Sequence, residues 1–184
     1  MLASQEKQEK QVKPDNRNLA AHLKYWTTEA IVADLTSRRH SFSVLCLNIH
    51  QDINLGNCLR SFNAFLGTKF YIYGKKHWDR RGAVGVHNYT KVTHLDDFGL
   101  EELIKSSNVV GVDNIDGAES IDDFIWPANP LIVMGEECGG IGPLLNRCQR
   151  KVYIPQYGSV RSLNVASACA IVLNDWCRKN AKMR

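Results

Sequence analysis

The spacing of apolar positions changes character near residue 40. Upstream, Leu19, His22, Leu23, Trp26, Ala30, Ile31, Ala33 and Leu35 recur at helical intervals and predict one or two helices within 18–37. Downstream, apolar runs of strand length at 42–49, 69–73, 91–94, 108–112, 131–134 and 152–154 alternate with helical patterns at 56–66, 100–106, 144–148 and 165–176. That alternation predicts an α/β domain, a mostly parallel sheet flanked by helices. The segment 75–86 is basic and punctuated by glycine, a connection with room for a short helix. Residues 1–17 read as a disordered polar tail, 18–40 as an N-terminal helical extension and 41–184 as the main domain.

Two strand ends carry the candidate chemistry. Gly135, Gly139, Gly140 and Gly142 follow the 131–134 run, at the carboxyl end of a strand, where an open α/β sheet places its ligand loop. After the 152–154 run, Pro155 stops the strand, Gly158 permits a turn, and Ser162 or Asn164 can cap the helix that follows. The open amides of such a helix start suit an anion or a polar ligand.

Composition narrows the class. The chain has 184 residues and 44% hydrophobic content, enough for one well-buried domain. No apolar run approaches the roughly 20 residues that span a bilayer, and the start MLASQEKQEKQ lacks a signal-peptide core, so a cytoplasmic protein without membrane contact is expected. Six cysteines form no C-x-x-C pair and read as buried or half-buried thiols, with Cys138 the one placed to react. The six histidines show no metal-ligand spacing, and no metal site is expected. The net charge of +4 is uneven: 147–184 holds eight basic residues against Asp175, 75–91 holds five against Asp79, and 96–137 holds eleven acids against Lys105. Such segregation suits a polyanion, provided folding gathers the basic segments. Within 77–81, Trp78 beside Arg80 and Arg81 could stack on an unpaired base or simply pack in an exposed loop.

Three motifs in order carry a resemblance. Asn54-Leu55-Gly56-Asn57-Cys58-Leu59-Arg60, then 131–141 with Gly135 and Glu137, then 154–168 with Ile154-Pro155 and Ser162-Leu163-Asn164 resemble the motifs of the SpoU/TrmH branch of the SPOUT methyltransferases, which methylate RNA ribose at the 2'-oxygen. The resemblance covers about 41–179. It implies a C-terminal trefoil knot, a feature that spacing alone says nothing about. It also implies S-adenosylmethionine as cofactor, RNA as substrate with tRNA ahead of rRNA, and a homodimer in which Val165, Ala168, Cys169, Val172, Leu173 and Trp176 lie at or near the interface.

By the same resemblance, Val112, Asp113, Gly135, Ile154 and Leu163 bind the cofactor, while Arg60, Asn54, Glu137, Ser162 and Asn164 serve catalysis. Arg60 would orient the ribose and stabilise charge developing on its oxygen, because a guanidinium with a pKa above about 12 is a poor base. Asn54 would hold Arg60 or RNA, and Glu137 would orient Arg60 or nearby backbone. By residue type alone, Arg60 is a solvated helix charge, Asn54 and Ser162 are caps, and Asp113 is a turn residue. Arg161 stands where many relatives carry an acid, and Arg-Ser-Leu-Asn resembles the catalytic domain of the large eukaryotic tRNA guanosine 2'-O-methyltransferases. Alternatives are an rRNA enzyme and a catalytically weak RNA-binding module that needs a partner. A dinucleotide oxidoreductase fits worst, since no G-x-G-x-x-G follows the first strand.

Overall fold

The computed structural model describes residues 14–47, 49–74, 77–137 and 139–181. Most of the expected tail, Cys138, Lys75, Lys76, Lys182 and Arg184 lie outside the described residues. The elements in chain order are α1 (Thr28–Ser37), β1 (Ser43–Leu47), α2 (Asp52–Ala64), β2 (Lys69–Tyr73), β3 (Val92–Leu95), α3 (Asp97–Lys105), β4 (Asn108–Val112), β5 (Glu119–Ser120), β6 (Pro130–Met134), β7 (Arg150–Tyr153) and α4 (Val165–Asn180). Short 3-10 turns at Arg80–Ala83, Val86–Asn88 and Gly142–Arg147 fill the longer connections.

The seven named strands pair in parallel, in the order β3-β2-β1-β6-β4-β7-β5. The later strand β6 is inserted between β1 and β4, and β7 between β4 and β5, so the chain leaving β4 is flanked by strands made after it. Strand alternation sends side chains to two cores. Val44, Cys46, Ile72, Val110, Ile132 and Met134 meet Leu59 and Phe62 of α2 and Cys169, Val172 and Leu173 of α4. On the opposite face Leu45, Leu47, Tyr71, Leu131 and Val133 meet Ile104 of α3 with Ile141 and Leu144.

Side-chain caps mark where α1 and α3 begin. Thr27 Oγ1 accepts from Ala30 N at 3.2 Å, and Asp96 Oδ1 accepts from Gly99 N at 2.8 Å. The Asp96 cap starts α3 earlier than the 100–106 pattern predicts. Helix α2 also begins before Gly56, at Asp52, because glycine there serves close packing rather than a turn. A Cβ on Gly56 would lie 2.7 Å from Ala83 N and 2.8 Å from Asp79 O.

The homodimer expectation for α4 needs correcting in its residues. Val165, Cys169, Val172, Leu173 and Trp176 are buried in the chain's own core, where Trp176 meets Phe42 with ring centroids 4.9 Å apart. Two long helices packed on one sheet face bury the stripe between them. The N-terminal extension forms a third, smaller cluster through Leu23, Ile31, Leu35 and Tyr89. No helix among the described residues is long and apolar enough to cross a membrane.

Candidate functional site

A cavity of about 530 Å³ opens where the carboxyl ends of β4, β6 and β7 meet the start of α4. Val112 and Asp113 come from the end of β4, Gly135 from the end of β6, and Ile154 follows β7. Leu163 comes from the loop that enters α4, so all five residues expected to hold a cofactor share its wall. Glu137, Ser162 and Asn164 line it too, whereas Asn54 and Arg60 do not.

Beside the cavity the three motifs are tied by hydrogen bonds. Asn54 Nδ2 donates to Glu137 Oε1 at 2.9 Å, and Asn164 Nδ2 donates to Asn54 Oδ1 at 3.1 Å. Asn164 Oδ1 accepts from Ala166 N at 2.9 Å and Ser167 N at 3.2 Å, so Asn164, not Ser162, caps α4. Glu137 also receives His50 N at 2.9 Å on Oε2 and Gln51 N at 3.3 Å on Oε1, immediately before α2. Burial opposes the charge on Glu137, but Asn54 and the His50 and Gln51 amides outweigh it and hold the carboxyl below the usual range. A carboxylate so fully engaged positions the chain; it is a poor proton acceptor.

The loop after β6 closes through its own main chain. Glu136 N donates to Gly140 O at 2.9 Å, and Gly140 N donates to Glu136 O at 3.1 Å. A Cβ on Gly135 would collide with the Gly140 carbonyl group, and one on Gly140, at φ +61°, with Asp113 Oδ2. Asp113 Oδ2 accepts from Ile141 N at 3.1 Å. Asp113 therefore lines the cavity and anchors the glycine loop at once.

Arg60 lies exposed on α2 and makes no ion pair or side-chain hydrogen bond with the described residues, while Asn54 and Glu137 are bonded to each other and to Asn164 and backbone. Glu137 thus receives backbone amides, and Asn54 bonds Glu137 and Asn164 rather than Arg60. Ser162 is exposed at the cavity edge, and the carbonyl of Arg161 accepts from Asn114 Nδ2 at 3.3 Å.

The wall also contains Asn114, Met134, Tyr153 and Gln156, which the motifs did not single out. Gln156 Oε1 is buried with no hydrogen-bond donor among the described residues. Its sequence signal is a polar residue directly after Ile154-Pro155. Met134 could have been found as the residue before Gly135.

Folding also spends much of the basic charge internally. Arg150 pairs with Glu119 at 2.5 Å and lies 4.1 Å from the Phe124 ring centroid, and Arg147 pairs with Glu101. Lys179 pairs with Asp175 at 3.1 Å and donates to the carbonyls of Ile121, Asp122 and Phe124. The basic closing segment is therefore neutralised in part by the acidic one, because β7 and α4 pack against 119–126. Trp78 is half-buried against the main core, edge-on to His87, and is not the free stacking face considered from sequence.

Known proteins share both pattern and fold. The sequence pattern of the SpoU rRNA Methylase family matches residues 41–174. The 23S rRNA (guanosine-2'-O-)-methyltransferase of Coxiella burnetii is 30% identical over 156 residues, covering 79% of this chain and 62% of that protein. The chain spans 29%, 62% and 53% of the first three curated relatives it matches. Among solved structures, the Aquifex aeolicus TrmH/SpoU tRNA modifying enzyme superposes with a TM-score of 0.72 at 20% identity, covering 83% of this chain and 81% of that one. The SpoU methyltransferase AviRb from Streptomyces viridochromogenes, solved with AdoMet, gives 0.69 at 22%, covering 82% and 62%. With all three motifs bonded around one cavity and the family pattern spanning the whole sheet, the chain belongs to the SpoU rRNA Methylase family.

Proposed function

We propose that this chain transfers a methyl group from S-adenosylmethionine to a ribose 2'-hydroxyl of RNA. The observation that carries the reading is the Asn54–Glu137–Asn164 network, which joins all three motifs beside the cavity. S-adenosylmethionine fits the residues present: its adenine amino group and its ammonium are donors, and Gln156 Oε1 is a buried acceptor with no donor among the described residues. When bound, it supplies an electrophilic methyl group on a sulfonium. Val112, Ile154 and Leu163 offer apolar surface to its ring, and Gly135 and Gly140 bring main chain close enough to recognise polar edges. Asp113 fixes the glycine loop, and Glu137, Asn54 and Asn164 hold the three segments in register, so that positioning does much of the work. Ser162, exposed at the cavity edge, is available to RNA.

Arg60 is the group we assign to the ribose oxygen and its neighbouring phosphate. Because it lies off the cavity wall, a homodimer in which a second copy brings these parts together is part of the proposal. Exposed Ile53, Tyr157, Val160 and Ile171, rather than the buried stripe of α4, are the apolar positions available to such a contact. Sedimentation at micromolar concentration tests it: a monomer excludes the dimer.

Arg161 before Ser162-Leu163-Asn164 favours tRNA as substrate, in a cytoplasmic setting. The second reading, rRNA, is favoured by the Coxiella burnetii relative, an rRNA enzyme matched over 79% of this chain. Incubation with methyl-labelled S-adenosylmethionine and total tRNA or rRNA, followed by mapping of the modified ribose, decides between them. No transfer to either pool would overturn the proposal.

A further inference from the structure

Large aromatic side chains are usually buried, yet Tyr25 is 65% and Trp26 43% exposed, side by side, while their neighbour Leu23 is buried. Their exposure is built in. Tyr25 takes a left-handed backbone conformation, φ 67°, which a residue with a Cβ adopts only under strain. Asp15 and Arg17 hold that turn from the preceding segment. Asp15 Oδ2 accepts from Tyr25 N at 2.8 Å, and Arg17 Nη2 donates to Trp26 O at 2.8 Å. The two are locked together by a fork in which Arg17 Nη2 reaches Asp15 Oδ2 at 2.7 Å and Nε reaches Oδ1 at 3.0 Å. An ion pair thus fixes a strained turn whose effect is to present two aromatic faces to solvent.

Exposed Lys24 directly precedes the two aromatics, and the exposed ring of His22 lies two residues before it. Leu23 seats the turn against Tyr89, at the end of the basic connection that carries exposed Arg80 and continues to exposed Lys91. Asn63 Nδ2 donates to Thr90 Oγ1 at 2.9 Å, which brings α2 against the same connection one turn beyond Arg60. Aromatic faces among cations are the chemistry that recognises unpaired nucleobases, since every base has a π-face and its backbone is anionic.

We infer that Tyr25 and Trp26 form a stacking platform for unpaired bases of an RNA, away from the methyl-transfer cavity. The inference rests on the RNA reading above. The test measures binding of the full chain to a stem-loop RNA and to a duplex of the same stem, for wild type, Tyr25→Ala, Trp26→Ala and the corresponding Phe variants. Each alanine should weaken stem-loop binding about 5- to 100-fold and leave duplex binding unchanged, with Phe restoring it. Affinity for S-adenosylmethionine, unchanged in all variants, checks the fold. Alanine variants that bind the stem-loop like wild type, or that lose both RNAs equally, overturn the inference. So do variants that change the sedimenting mass and not RNA binding, which would assign the turn to a protein contact. A wild type that binds neither RNA and transfers no methyl overturns the RNA reading itself.

Discussion

Asn54 and Glu137, 83 positions apart, are joined by a 2.9 Å hydrogen bond that fastens the first motif to the second. Asn54 is 3% exposed and spends its other amide atom on Asn164. The amide is suited to this place because it donates on one side and accepts on the other.

Replacing Asn54 by Ala strips Glu137 Oε1 and Asn164 Nδ2 of a partner each. Stability should fall by about 1–3 kcal/mol in urea unfolding, with affinity for S-adenosylmethionine falling alongside. Asn54→Asp should be worse near neutral pH, where two carboxylates would face each other, and the gap between the variants should narrow in acid.

Asn164 does two jobs that substitution separates. Asn164→Asp keeps the cap on α4 and loses the donor to Asn54, while Asn164→Ala loses both. The cap is worth about 1 kcal/mol, so Ala should be the less stable of the two by that margin, unless the new carboxylate repels Glu137. Comparing their unfolding midpoints with and without salt reveals which term dominates.

Acid should loosen the site through Glu137. Its folded pKa lies below the ordinary 4.5, so the stabilisation it contributes is present above that value and is lost as pH falls through the lower folded value. Wild type should therefore converge on Glu137→Gln in urea midpoint as pH drops below 4.5. A constant difference from neutral pH into that range would count against the network.

Gly135→Ala sets a methyl group against the Gly140 carbonyl, in backbone that cannot yield as a flexible side chain would. Calorimetry should find S-adenosylmethionine binding lost while the fold persists by circular dichroism, because the clash is confined to the loop after β6.

Arg60→Ala should behave oppositely. With no side-chain partner among the described residues, Arg60 should cost under about 0.5 kcal/mol when removed, yet methyl transfer should drop a hundredfold or more, to about the loss seen when a charge-stabilising donor is deleted. Full transfer by this variant would remove Arg60 from the reaction.

Some of the site was legible in the chain and some was not. The five residues Val112, Asp113, Gly135, Ile154 and Leu163 were named through the family resemblance, and the fold gathers them on one cavity wall because a parallel sheet brings its carboxyl ends to one edge. Choosing Asn164 over Ser162 as the cap was beyond spacing, since both side chains can accept an amide and only the path into α4 selects one. The two-residue β5 was missed because it exists only through its pairing with β7, and Glu119-Ser120 has no apolar run to announce it. The stripe on α4 has the same apolar pattern whether it meets another chain or its own sheet; its packing on Phe42 and α2 decided that.

The sequence by itself determined the α/β class, the chain order of all its strands but β5, and the three motifs, because period, glycine and proline act over a few residues. The tertiary structure alone decided that β6 and β7 insert beside β4, that Asn54, Glu137 and Asn164 join across the fold, that Arg147 and Arg150 are neutralised by Glu101 and Glu119, and that Tyr25 and Trp26 stand in solvent. Each of these depends on distances between segments far apart in sequence, and hydrogen bonds and ion pairs act only once folding has closed those distances.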